Sequence, residues 1–236
     1  MRKFIAFTLA ETLLVIGIIG VVAALTLPNL NSSTGDKEKV TKVKKIYENL
    51  NDALGRAEAV YGPYEEWFVN DADDKAKAKR AGERITEFMK VSKTCGLDTG
   101  KGCFTSGKSK GLPGGDYKEY DKEDSTYKII TVDNSSISFS FRSDNSSWVS
   151  VDIDGPNKGS YTLGKDLFLF SIDSKGGVLP AESEETFSAL ISSIKAKGTD
   201  AAAWIIKYDN MDYLKFDNSG KCPNGTTVTA QNPRCK

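Results

Sequence analysis

Two rhythms of hydrophobic and polar residues run along this chain. Residues 4 to 30, FIAFTLAETLLVIGIIGVVAALTLPNL, are apolar all round, and Glu11 is the one charged residue among them. As a helix, residues 7 to 27 rise about 31 Å, close to the thickness of a hydrocarbon core. Pro28 follows, where its ring and missing donor kink or end a helix. After a polar break at Asn31-Ser32-Ser33-Thr34-Gly35, apolar residues return at helical spacing: Val40, Val43, Ile46, Tyr47, Leu50, Ala53, Leu54, Ala57, Val60 and Tyr61. Lysines hold most of the opposite face, with acids such as Glu38 and Glu48 placed to pair with them. Gly62-Pro63 closes the element.

The stretch from 64 to 126 is polar and rich in Gly and Lys, with one weak helical segment around Asp73 to Val91, and reads as surface. From Tyr127 the period changes to two. KIITV, then ISFSF with Ile137, Phe139 and Phe141 alternating, then WVSVDI with Val149, Val151 and Ile153 alternating, predict antiparallel strands joined by Asn/Ser-rich turns. LFLFSI at 167 to 172 is a further strand and ETFSALISSIKAKG a short helix, while AWIIKYDNMDYLKF reads as a hairpin turning near Asp209-Asn210. The fold class is α+β. Phe139, Phe141, Trp148, Phe168 and Phe170 are assigned to the core and the sheet faces rather than to a ligand site.

Charge adds exclusions. Lys plus Arg and Asp plus Glu both number 32, and no long block of either sign points to a nucleic acid. The chain has no histidine, which removes histidine-based triads and most zinc chemistries; an enzyme is not expected. Four cysteines fall in loop-like stretches, Cys95 near Cys103 and Cys222 near Cys235, at spacings unlike a zinc knuckle. They allow three pairings. Short loops close cheaply, which favours nearest neighbours in an oxidising compartment, each bond contributing roughly 2–4 kcal/mol. In DIDGPNKGSYTLGKD, Asp152, Asp154, Asn157 and Asp166 offer the hard oxygens calcium takes. The same residues are ordinary turn formers, and no cofactor is required.

Glu11 demands an account of its own. A carboxylate inside a spanning helix costs about 2.5–3.5 kcal/mol on insertion scales, so neither a secretory signal, with its cut near Val22-Ala23-Ala24, nor a plain anchor gains from it. The segment AFTLAETLLVIGIIGVVAALTLP, behind the cationic head Met1-Arg2-Lys3, resembles the cleavage and methylation segment of type IV pilins and type II secretion pseudopilins. Counting from Phe7, Glu11 stands fifth and Pro28 twenty-second, the register that family uses. The family's usual residue before the cut is Gly; Ala6 keeps a small side chain there.

The resemblance implies a leader, 1 to 6, cut between Ala6 and Phe7 by a prepilin peptidase that also methylates the amine of Phe7. It implies an assembly and membrane half, 7 to 30, an amphipathic half, 31 to 61, and a globular body, 62 to 236, in a pilin-like fold whose long N-terminal helix packs on the sheet. Glu11 would neutralise the terminal amine of a neighbouring subunit during polymerisation into a pilus or pseudopilus. Gly17 and Gly20 would let helices approach closely. The implied partners are other pilin subunits, the inner-membrane assembly platform and lipid, with a single pass through the inner membrane before assembly and the body outside the cytoplasm. The alternative is a tethered or secreted binding module using the same leader, which would be indifferent to Glu11→Ala.

Overall fold

The computed structural model describes residues 9–69, 71, 73–141, 147–173, 175–181 and 186–235, with the backbone alone described at 23–34. The chain is α+β and divides into two compact units, 1–38 and 39–236. The division falls inside the first helix, α1 (Leu9–Tyr61), whose helical backbone continues through position 28 and through the expected polar break. Gly62 ends α1: at φ +82° it occupies the left-handed region, and its N–H donates to the Glu58 carbonyl at 3.0 Å.

The second unit holds a six-stranded antiparallel sheet in sequential order, β1 (Val91–Gly96), β2 (Thr126–Thr131), β3 (Ser136–Phe141), β4 (Ser147–Asp152), β5 (Leu167–Ile172) and β6 (Val178–Pro180). Ile129 faces Ile137, Ile137 faces Val151, and Val151 faces Phe168, so one apolar row crosses four strands. That face joins Val40, Val43, Ile46, Leu50, Ala53, Leu54 and Ala57 of α1 in a single buried cluster. The predicted stripe runs out before the helix does, since Val60 is 62% exposed and Tyr61 lies near the surface. Tyr61 bonds instead to the Glu87 carboxylate, with the Arg84 guanidinium against both its ring and that of Trp67, 4.8 and 5.2 Å from their centroids.

The four strands read from period two all form, within two residues of their expected limits. The weak helix is α2 (Asp74–Thr86), capped by the Asp73 carboxylate accepting from the Ala76 N–H at 2.8 Å. ETFSALISSIKAKG contains α3 (Phe187–Ala196), capped by Thr186. The expected hairpin does not form. Residues 201–208 are a helix, α4 (Ala201–Tyr208), and Asp209 is its left-handed cap at φ 55°. Trp204 explains the outcome. Fully buried, it gathers Phe187, Tyr208, Tyr213 and Phe216 within 4.7–6.2 Å of its ring, and its N–H donates to Asn210.

The region read as surface covers the other sheet face. Cys95 and Cys103 form a disulfide that ties β1 to the following loop, where Phe104 stacks on Tyr120 at 5.2 Å and both pack with Ile130, Leu167 and Leu169. The second disulfide, Cys222 to Cys235, holds the C-terminal turns. Both are the nearest-neighbour pairings.

Gly82 of α2 lies against the Tyr127 ring so closely that an added Cβ would sit 2.3 Å from Cγ. Elsewhere in a helix Gly→Ala gains about 1 kcal/mol. Here Gly82→Ala is expected to destabilise by about 1–3 kcal/mol, because α2 must lift off the sheet. Urea denaturation that shows a gain instead would refute this packing.

Candidate assembly surface

The first turn of α1 carries Glu11, where a negative charge complements the helix dipole, and the Thr12 hydroxyl bonds back to the Leu9 carbonyl at 2.8 Å. From Leu9 to Val22 every side chain is exposed, and Leu9, Leu13, Leu14, Val15, Ile16, Ile18, Ile19, Val21 and Val22 are each 53–79% accessible. A helix apolar on all sides has no face it can turn to water at low cost, at about 25 cal/mol for each Å² left uncovered. Gly17 and Gly20 have nothing within 4 Å of where a Cβ would stand, which leaves two shallow notches open.

Among the described residues no helix is long and apolar enough to cross a membrane. The apolar run expected from Phe7 to Leu27 has described side chains only from Leu9 to Val22. Ala6 and Phe7, the expected cleavage and methylation positions, lie outside the described residues, as does the side chain of Pro28.

The lysines that follow serve the body rather than their own helix. Lys39 lies 3.6 Å from the Asp154 carboxylate and donates to the Lys165 carbonyl, Lys42 donates to the Asp133 carbonyl, and Lys44 pairs with Asp209 at 2.8 Å. These partners replace the expected pairing of Lys39, Lys42 and Lys44 with Glu38 and Glu48.

The acidic loop is built as a turn. The buried Asp166 carboxylate accepts from the N–H groups of Ser160, Tyr161 and Thr162 and from the Ser160 hydroxyl. Asn157 spends its N–H on the Thr105 hydroxyl. The Asp166 carboxylate is thus engaged in turn contacts and that of Asp154 lies beside Lys39, and among the described residues no group of three or more His, Cys, Asp or Glu could hold a metal. Asp152 differs. One of its oxygens accepts from Asp154 and Gly155 N–H groups at 3.2 Å, and the other is buried with no hydrogen-bond partner among the described residues. Burial foremost, and then the neighbouring Asp166 charge, push its carboxyl up to about 7.

Comparison with known proteins finds no matching family model, no matching curated protein and no matching solved structure.

The raised Asp152 value has a definite sign. The folded form keeps its proton where the unfolded carboxyl, near the ordinary 3.8, has lost it. The contribution is complete below that ordinary value and is lost as pH rises through about 7. Asp152→Asn abolishes the titration. Its stability relative to the parent should therefore improve between pH 5 and pH 8, by on the order of 3 kcal/mol. Chemical denaturation at both pH values measures this, and parallel behaviour of the two proteins would contradict it.

Proposed function

We propose that the chain is a prepilin-type structural subunit, trimmed after Ala6, methylated on Phe7 and polymerised through the first half of α1 into a type IV pilus or type II secretion pseudopilus. One observation carries this reading: an apolar helical surface from Leu9 to Val22, exposed at every described side chain, with a single carboxylate in the first turn. Lipid covers such a surface before assembly and neighbouring helices cover it afterwards. In a filament, the α-amine released on Phe7 of an adjacent subunit would bring a cation to the carboxylate of Glu11. An unmatched register leaves both charges in a medium that penalises each.

The body supports the same reading. It is closed by two disulfides suited to an exported location, and its core incorporates the second half of the helix that would carry the assembly surface. Its role is mechanical, as a rigid head on a polymerising stalk.

Intact-mass and N-terminal analysis of the protein recovered from its own cell envelope tests the proposal. N-methyl-Phe7 is the expected terminus, and Glu11→Ala should abolish filament incorporation while leaving the thermal stability of the body unchanged. Retention of Met1, a terminus at Leu25, or undiminished incorporation of Glu11→Ala would overturn it.

A further inference from the structure

The sheet face turned away from α1 is serine-rich, with Ser136, Ser138 and Ser150 buried and Ser140 partly exposed. Every position of β3 on that face is a serine, Ser136, Ser138 and Ser140, and opposite them on β4 stand Asp152, Ser150 and Trp148. Serine is a poor choice for strand packing, where β-branched and aromatic side chains fit better. Its small side chain leaves a hollow. A cavity of about 290 Å³ lies there, with Ser138, Ser140 and Ser150 on its floor and Tyr117, Tyr120 and Trp148 among its walls. This volume is at the lower end of small-molecule sites, which characteristically combine aromatic walls with a few convergent polar groups.

The lining selects a chemical class. Each hydroxyl offers one donor and two lone pairs, so a group of hydroxyls suits a ligand that itself carries hydroxyls. Aromatic faces attract the polarised C–H bonds that line one side of a pyranose ring. Charge is not called for. No acidic side chain contributes to the lining among the described residues. The single cation, Lys118, lies 3.5 Å from the Glu123 carboxylate and 5.3 Å from the Tyr120 ring centroid, so its charge is already met. The walls are also preorganised. Tyr120 is buried, stacked on Phe104 and hydrogen-bonded to Ser150, while Tyr117 stands at the lip, 39% exposed.

We propose that this cavity binds a neutral saccharide of one or two pyranose units, held against Trp148 and Tyr117 with a hydroxyl on the partly exposed Ser140. The site belongs to the body alone and does not depend on how the N-terminal half of α1 is used.

The full-length chain, in an amine-oxide detergent without a sugar headgroup, is titrated with glucose, galactose, N-acetylglucosamine, maltose and cellobiose, with glucuronate as the charged comparison. Binding is followed by calorimetry and by tryptophan fluorescence. Trp67 and Trp204 are buried, at 3% and 0% exposure, which leaves the partly buried Trp148 as the responsive reporter. Saturable binding of at least one neutral sugar in the millimolar range is expected. Tyr117→Ala should weaken it up to about tenfold, and Ser140→Ala about fivefold, with unchanged circular dichroism and thermal midpoint. Absence of saturable binding by every neutral sugar, undiminished affinity in both variants, or tighter binding of glucuronate than of glucose would overturn the proposal.

Discussion

Tyr47 lies stacked on Phe170 with 5.9 Å between ring centroids, in the same buried cluster as Val43, Ile46, Leu50 and Leu54 of α1 and Phe139, Val149 and Phe168 of the sheet. Each such side chain contributes about 1.5–3 kcal/mol on leaving water, so this packing is the largest single stabilising feature of the body. It explains why the compact unit begins at Lys39 rather than at Gly62. Remove the helical stripe and the central strands lose the cover of one face. The same constraint fixes what α1 leaves over. Among the described residues, the core of this unit takes in α1 from Val40 to Ala57, and the apolar side chains from Leu9 to Val22 are exposed. In the assembly proposed above, other copies of the same segment supply that counterpart.

The lysine cluster after the apolar run illustrates how local sequence logic fails. Within a helix, the natural partners of Lys39, Lys42 and Lys44 are acids three or four residues away. Their observed partners stand 126, 91 and 165 residues along the chain. Tertiary structure brings the Asp133, Asp154 and Asp209 loops to this helix, and no period in the sequence encodes that. A positive cluster next to an apolar segment ordinarily marks the cytoplasmic side.

Most of the sheet was legible because its central strands turn Ile, Val and Phe toward α1 and mostly serine toward the other face, which gives the alternation at Ile137, Phe139 and Phe141 and again at Val149, Val151 and Ile153. The edges were not. β1 carries the polar run VSKTCG with two register irregularities, and β6 has only three residues, so neither shows a periodic signal. α4 was misread because Asp209-Asn210 looks like a hairpin turn; it is a turn, but one that ends a helix nucleated by Ala201, Ala202 and Ala203 and held by the buried Trp204. The cysteine pairs were legible from spacing alone. The cavity over β3 was not, since its walls come from Tyr117 and Tyr120, remote in sequence and in a stretch that reads as surface.

The two faces of the sheet have been built to different rules. Toward α1, the side chains are Ile, Val and Phe, volumes that fill space and specify a single packing. On the opposite face, Ser136 and Ser138 are small residues buried under the segment that covers the sheet, and the row ends at Ser140, which is partly exposed beside Trp148. A serine there forgoes strand propensity and buried area together, so the choice gives the body no stability. A cost that packing does not repay, confined to one patch and rimmed by aromatic rings, is best repaid by binding. The helix-facing side then holds the molecule together, and the far side is free to recognise what the molecule meets.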